Sequence, residues 1–450
     1  MSSSTSTTPR SFPDPVLRGI RGPVLRPGQV GFAEEVAGFN AAWTPTPRIA
    51  IGAVSADDVA AAVQHARLTG ARLRTQATGH GLRGTLDGTV LVTTRRLDSV
   101  RVDPGSRTAT IGAGARWRAV VDAAAAHGLA PLCGSSTAVG AVGYTLGGGV
   151  GALGRQHGFS ADRVRSLEVV TADGHRRHVD VLHHPDLFWA LRGGRDGLGV
   201  VTSLTLDLVP VATVHGGGLF FDLSTAHDVL HTWREWAPGL PEHVSTSIAF
   251  LRLPPDPALP EPLRGRAVVH VRFTSTGTDE EASRLLAPVR AAAPVVLDTL
   301  TRIPFTAIDG VHADPTAPVP FAESGTGLRT FDAPTADAVL ARVDAGSGCV
   351  LAMVELRLLG GALGRPPRVA NSVTGRGAAF SLMGLGVPVG PGGDRVAEQL
   401  HGLRAAVTPW ATAGPLNLAG DGDHRGLWSA GDRARLAGVR RRYDPRGTFS

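Results

Sequence analysis

GSSTAVGAVGYTLGGGVGALGRQHG, residues 134–158, strings glycines along a run too irregular for a helix or a strand. Gly140, Gly143, Gly147, Gly148, Gly149 and Gly151 let the main chain take positive φ and approach a guest closely, with peptide N–H groups turned outward into anion-binding concavities. A diphosphate suits such a surface. Upstream, a second turn, ATGHG (77–81), follows the strand-like LRTQAT and sets His80 between two glycines. A lone G-H-G reads most often as a turn that tolerates positive φ. The glycine loop downstream shifts that reading toward a bound dinucleotide with a histidine beside it.

The chain has 450 residues, enough for two domains with substantial cores. Its hydrophobic content of 42% and mean hydropathy of +0.05 are those of a globular protein. All 45 basic residues are arginine, and the absence of lysine removes a Walker-type phosphate loop and a pyridoxal Schiff base, both of which need one. The arginines are dispersed, the densest group being Arg440, Arg441 and Arg442, which argues against a nucleic-acid footprint. Cys133 and Cys349 lie far apart with no C-x-x-C spacing, so neither a disulfide framework nor a zinc site is indicated. His183, His184 and the other histidines lack ligand spacing, and no metal is expected. MSSSTSTTPR is not followed by an apolar core, and no run of eighteen apolar residues occurs; a cytoplasmic protein is expected.

Residues 1–30, rich in Ser, Thr, Pro and Arg, read as a flexible arm. RIAIGAV (48–54) is a predicted strand. Ser55 then caps a helix with Val59, Ala62, Val63 and Ala66 at helical spacing, Gly70 ends it, and LRTQAT is the next strand. VRVDPGSRTATIGAG and SLEVVTADGHRRHV read as hairpins, WRAVVDAAAAHG and HPDLFWALRGG as helices, and GVVTSLTLDLVP as a strand. Beyond Pro210 the strand-like runs GGLFFDL, STSIAFLRL, AVVHVRFTS, CVLAMVELRLLGG and AAFSLMGLG alternate with helical pieces, predicting an antiparallel sheet with helices. The glycine loop fails as a Rossmann fingerprint, since no strand leads straight into it and no acidic residue sits suitably beyond; Gly112-Ala113-Gly114 is too short.

Six ordered motifs, ATGHG, VGAVGYTLGGG, LEVVTADG, DLFWALRGG, GVVT and RRYDPRGTF, carry a family resemblance. From about residue 45 to the C-terminus the chain resembles the FAD-linked oxidases of the vanillyl-alcohol-oxidase type, most of all their berberine-bridge-enzyme-like branch in its actinobacterial form. The resemblance implies an α+β fold: a PCMH-type FAD-binding domain over 31–211, a substrate domain with an antiparallel sheet over 212–400, and a segment, 401–450, returning to the flavin domain. It implies an oxidoreductase that takes a hydride from a C–H bond of a small organic substrate, a natural-product intermediate or a sugar alcohol. The electrons pass to FAD and on to dioxygen, giving hydrogen peroxide; a dehydrogenase with another acceptor and a catalytically silent flavoprotein are the alternatives.

By the same resemblance His80 bonds the flavin 8α-methyl. Thr75, Gln76, Ala77, Thr78, Gly79, Gly81, Ser136, Val139, Gly140, Gly143, Tyr144, Gly147, Gly148, Gly149, Gly199, Val200, Val201 and Asn417 fall at cofactor-binding positions. Many relatives form a second flavin bond through a cysteine where this chain has Ser136, so a single tether is implied. Val139 matches the position that gates dioxygen. Gly197-Leu198 replaces the usual Asn-Phe pair, and Pro415 stands where several relatives have a catalytic tyrosine. Glu355, on the apolar run VELRLLGG, is the candidate base, since burial there would raise its pKa. The competing reading is an ion pair with Arg357, two residues along on the same strand face.

Overall fold

Three sheets, described over residues 15–449 in the computed structural model, position the site. The first has four strands in the order Val24–Leu25, Ile49–Gly52, Val90–Thr93, Leu73–Gln76, parallel apart from the first pair. Helix Ala56–Thr69 crosses between Ile49–Gly52 and Leu73–Gln76. Its Ser55 cap accepts from Asp58 N at 3.2 Å and Gly70 closes it at φ 66°, a cap of the kind worth about 1 kcal/mol. Val59, Ala62, Val63 and Ala66 of that helix are fully buried against Ile49, Ile51, Val90 and Val92.

A five-stranded antiparallel sheet, in the order Val100–Asp103, Thr108–Gly112, Val200–Asp207, Val164–Val170, Arg176–Asp180, completes the first half. The second half is a nine-stranded antiparallel sheet centred on Ala267–Ser275, Val244–Arg252, Met353–Leu358 and Phe380–Gly386. Its strands alternate. Leu219, Phe221, Ile248, Phe250, Val269, Val271, Val354 and Leu356 bury one face under helices Ala226–Trp236, Asp279–Arg290, Ala333–Val343 and Val396–Ala406, each large side chain contributing about 1.5–3 kcal/mol. The opposite face is the polar one.

Three expectations need correction. Residues 1–14 lie outside the described residues, but the expected loose arm does not run to residue 30: Pro15–Arg18 is helical and Val24–Leu25 pairs with Ala50 and Ile51. The glycine run is not wholly irregular, because Ala141–Leu146 forms a short helix that Gly147 and Gly148 terminate. A domain boundary at 400/401 would cut helix Val396–Ala406, whose Leu400 and Leu403 belong to the second core, and Ala411–Thr412 still pairs with Gly327 and Leu328. The segment that returns to the first half is helix Ala430–Tyr443, burying Leu436, Val439 and Tyr443, followed by Phe449 beside helix Ala56–Thr69.

Candidate active site

Strand Leu73–Gln76 ends with Thr75 exposed and Gln76 buried, the Gln76 amide donating to Val36 O at 3.1 Å and Ala37 O at 3.0 Å. The turn that follows rests on the preceding segment: Phe39 N donates to Thr78 O at 2.9 Å and Asn40 N to Gly79 O at 3.3 Å. Gly79 has φ 74°, and a Cβ there would lie 2.4 Å from Gly38 Cα. Only glycine lets the two stretches of backbone touch. The peptide N–H groups of Ala77, Thr78, Gly79, His80 and Gly81 donate to no acceptor among the described residues. A loop with five free N–H groups is a cradle for an anion, and it fits the diphosphate of a dinucleotide.

The His80 ring stacks on Phe39, centroids 3.9 Å apart and planes within 9°. Its Nδ1 lies 2.8 Å from Thr78 Oγ1, and the same hydroxyl accepts from Gly140 N at 3.2 Å. One threonine therefore ties the histidine turn to the glycine loop. Burial, with Arg116 reinforcing it and Asp314 opposing, pushes the His80 pKa down to about 4, so the imidazole is neutral at pH 7.

The glycine loop is held from several sides. Trp117 N donates to Val139 O at 3.0 Å and Ala141 N to Ala115 O at 2.9 Å, while Ser136 Oγ accepts from Ala138 N at 3.3 Å. Gly140 packs against Ala77, and Gly143 opens onto free space. Asp309, from the second domain, accepts from Thr137 N at 2.7 Å and Thr137 Oγ1 at 2.5 Å and pairs with Arg118. Tyr144 turns inward, edge-on to Trp117 at 5.6 Å, in a cradle of Gly134, Gly149 and Gly151. Its hydroxyl has no partner among the described residues, and burial holds its pKa well above 10, unsuited to proton abstraction.

Asn417 fits the role of a loop staple better than that of a cofactor ligand. Its Oδ1 accepts from Gly149 N at 2.8 Å and its Nδ2 donates to Tyr144 O at 3.1 Å, with Gly147 and Gly148 packed against it. Gly199 is needed for packing, at φ 135° with Val170 O 2.8 Å from where a Cβ would sit. Val200 and Val201 point into two hydrophobic cores and pair with Val170 and Val169, leaving sheet backbone as all they present elsewhere. Cys133 is a buried thiol with its pKa pushed up to about 12 by that burial.

Glu355 reverses its expectation. The buried carboxylate lies 2.8 Å from Arg272 and 3.0 Å from Arg357, with His312 at 3.6 Å. Burial alone would raise its pKa, but Arg357, Arg272 and His312 together hold it well below 4.5. A carboxylate so held is a counter-ion and a poor base. The sequence pairs Glu355 with Arg357 at i, i+2; Arg272 comes from another strand and escaped notice. The signal was present: His270 and Arg272 in AVVHVRFTS, and Ser245 and Ser247 in VSTSIAF, sit at alternate positions of otherwise apolar runs. The fold also gathers His178, Asp180 and His183, and separately His227, His231 and Asp337, clusters the sequence spacing did not suggest.

Residues 47–180 match a family model described as FAD binding domain. Residues 47–180 are an FAD-binding domain. The chain is 38% identical across 175 residues to the FAD-dependent monooxygenase FUP4 of Fusarium proliferatum (strain ET1), covering 38% of this chain and 34% of that protein. It is 32% identical across 191 residues to (R)-6-hydroxynicotine oxidase of Paenarthrobacter nicotinovorans, 42% of each. The matched stretches thus span less than half the length of these curated relatives. The solved structure of 6-hydroxy-D-nicotine oxidase from Arthrobacter nicotinovorans is similar at TM-score 0.83 and 24% identity, covering 97% of this chain and 98% of that one. The chain's fold is therefore that of this oxidase structure, an FAD-binding domain followed by a sheet-rich second domain. No helix among the described residues is long and apolar enough to cross a membrane.

Proposed function

We propose that this protein is an FAD-dependent oxidoreductase in which His80 carries the flavin and the polar face of the second-domain sheet receives a small organic substrate. The observation that carries the reading is the loop at 77–81: five unpartnered N–H groups, a neutral imidazole among them, and the Thr78 hydroxyl bridging to Gly140. An Nδ1–H tautomer donating to Thr78 Oγ1 would leave the Nε2 lone pair free, the ring atom through which His80 would hold the flavin. Ser136 offers no thiol for a second bond, so one tether is proposed. FAD, when bound, supplies hydride acceptance from a substrate C–H bond; the protein's part is to bind, orient and exclude water. With dioxygen as acceptor, a CH–OH substrate would give a carbonyl compound and hydrogen peroxide.

Two measurements test this. Acid-denatured protein should keep flavin fluorescence on the polypeptide, and His80→Ala should release it; flavin freed equally from both proteins refutes the tether. Oxygen uptake with stoichiometric peroxide on substrate addition separates an oxidase from a dehydrogenase. Pro415 at the tyrosine position and the ion-paired Glu355 favour a second reading, a flavoprotein with no turnover. Flavin that stays oxidised under anaerobic conditions with every alcohol, sugar and amine offered would support it over the first.

A further inference from the structure

We infer that the substrate of this site carries a carboxylate, and that Arg357 binds it. The inference rests on the reading above for the identity of the site. Its basis is a charge and donor imbalance on the polar face of the second-domain sheet.

The strand register sets two rows of side chains on that face. One row runs Gly218, Arg272, Ser247, Arg357, Ser381 across five strands; the next runs Phe220, His270, Ala249, Glu355, Met383. Side chains at directly opposed positions share a face, so two guanidiniums flank Ser247 while one carboxylate sits in the neighbouring row. Arg272 and Glu355 are each 3% exposed and Arg357 13%. The histidines do not alter the balance in a useful direction. His270 Nδ1 accepts from Arg272 Nε at 3.3 Å, and burial holds both His270 and His312 in the neutral form. Two cations against one anion leave a buried positive charge. Arg155, lining the same space, directs its guanidinium to the carbonyls of Leu240, Pro241, Val244 and Leu359, and the acidic group that acts on it, Glu242, is itself paired with Arg365. The acidic group that acts on Arg357 from the rim is Asp314, half-buried and not in ion-pair contact with it.

The donors point the same way. Arg357 engages Glu355 and His312 through Nη2 alone, at 3.0 and 3.4 Å. Its Nε is buried without a partner, and so is Ser247 Oγ on the adjacent strand; Nη1 makes no hydrogen bond among the described residues. Native interiors rarely leave buried donors idle, and a buried cation is normally paired. Arg357 and Ser247 line a half-open pocket of about 20 Å³ together with Gly151, Val311 and His312, room for one water or one carboxylate oxygen. Donors without acceptors, and two cations that share one carboxylate, point to an oxyanion as the missing partner. Glu355 then acquires a function: it holds Arg357 through Nη2, which leaves Nε and Nη1 without acceptors among the described residues.

Equilibrium dialysis of the full-length protein as purified tests this with acetate and benzoate against their neutral isosteres acetamide and benzamide. A charge-assisted hydrogen bond worth about 1.5–3 kcal/mol predicts that one carboxylate binds about tenfold or more tighter than its amide. Arg357→Gln should erase that preference, and Arg357→Lys, which keeps the charge, should restore part of it; circular dichroism checks that both variants fold. Equal binding of acids and amides, no binding of either acid, or a preference that survives in Arg357→Gln overturns the inference and leaves the cavity to a water. So does an Arg357→Gln variant that shifts the flavin reduction potential while leaving probe binding intact, since the charge would then serve the cofactor. Flavin retention in acid is read separately, so loss of the His80 tether and loss of carboxylate selection are distinguishable.

Discussion

Replacing Glu355 with glutamine separates the two roles that a carboxylate in this position can play. The side chain keeps its shape and loses its charge, which strands Arg272 and Arg357, 3% and 13% exposed, without the anion they share. Breaking a buried pair by neutralising one partner costs about 3–5 kcal/mol, chiefly because the remaining charge stays desolvated. Equilibrium urea unfolding followed by tryptophan fluorescence is suited to the measurement, since Trp233 and Trp236 stand on a helix packed against the same sheet. The pH dependence carries a sign. Glu355 has a folded pKa below its unfolded value, so its stabilisation is complete above about pH 4.5 and is lost only as pH falls through the lower, folded value. The deficit of the variant should therefore be full at neutral pH and shrink only in acid. In turnover, a holder of Arg357 predicts a raised KM with a smaller effect on kcat. A variant as stable as the wild type, to within about 1 kcal/mol, whose kcat has fallen by the roughly 10²–10⁴-fold expected on losing a general base, would refute the reasoning and return Glu355 to catalysis.

Gly79→Ala should abolish flavin incorporation, because a Cβ 2.4 Å from Gly38 Cα forces apart the segments that shape the histidine turn; a flavin-loaded variant with normal absorbance would contradict this. Asn417→Ala should cost about 1–3 kcal/mol in urea unfolding and speed proteolysis within 134–158, since Gly149 N and Tyr144 O lose their partners; unchanged protection would show that the staple is dispensable. Burial raises Glu323 from 4.5 to about 7 against the pull of Arg83, so the folded protein holds a proton that the unfolded chain releases between those values. Stability should fall as pH rises through that window, by up to about 3 kcal/mol, and Glu323→Gln should flatten the slope; an identical pH profile in the variant would count against the buried carboxyl.

What the sequence made legible was local or repeated. The β-α-β unit announces itself through Ser55, the apolar spacing to Ala66 and Gly70, because capping and periodicity act within a few residues. The meeting of the two turns was foreseeable from their glycines, which serve little purpose in backbone that nothing approaches. Helix Ala141–Leu146 was hidden by Gly143 in its middle, a poor helix former tolerated here because Ala141, Val142 and Thr145 are buried. Asn417 could not be assigned from sequence, its partners being 268 and 273 positions away. The pKa of Glu355 fails for the same reason: a desolvation argument needs only an apolar strand, whereas the opposing terms come from Arg272, 83 positions distant, and from His312. Burial sets the cost of a charge, and tertiary neighbours set which ionisation state wins.

Both halves of the proposed site are incomplete alone, and the contact between the domains decides how they face one another. The histidine turn and the glycine loop supply N–H groups, an imidazole and no carboxylate; the sheet supplies guanidiniums. Asp309 locks the two together at the glycine loop through Thr137 and Arg118, and a second tie joins Val319 N to Phe39 O at 3.1 Å and Ala41 N to Val319 O at 3.0 Å, directly beneath the ring stacked on His80. Asp314, between these ties in sequence, acts electrostatically on both His80 and Arg357, opposing the fall in the His80 pKa and adding to the rise in that of Arg357. A carboxylate that acts on both residues supports the proposal that they border one site, since such interactions fade over about 10 Å in salt. On that proposal a substrate anion against Arg357 would lie on the side of the sheet that faces the histidine turn.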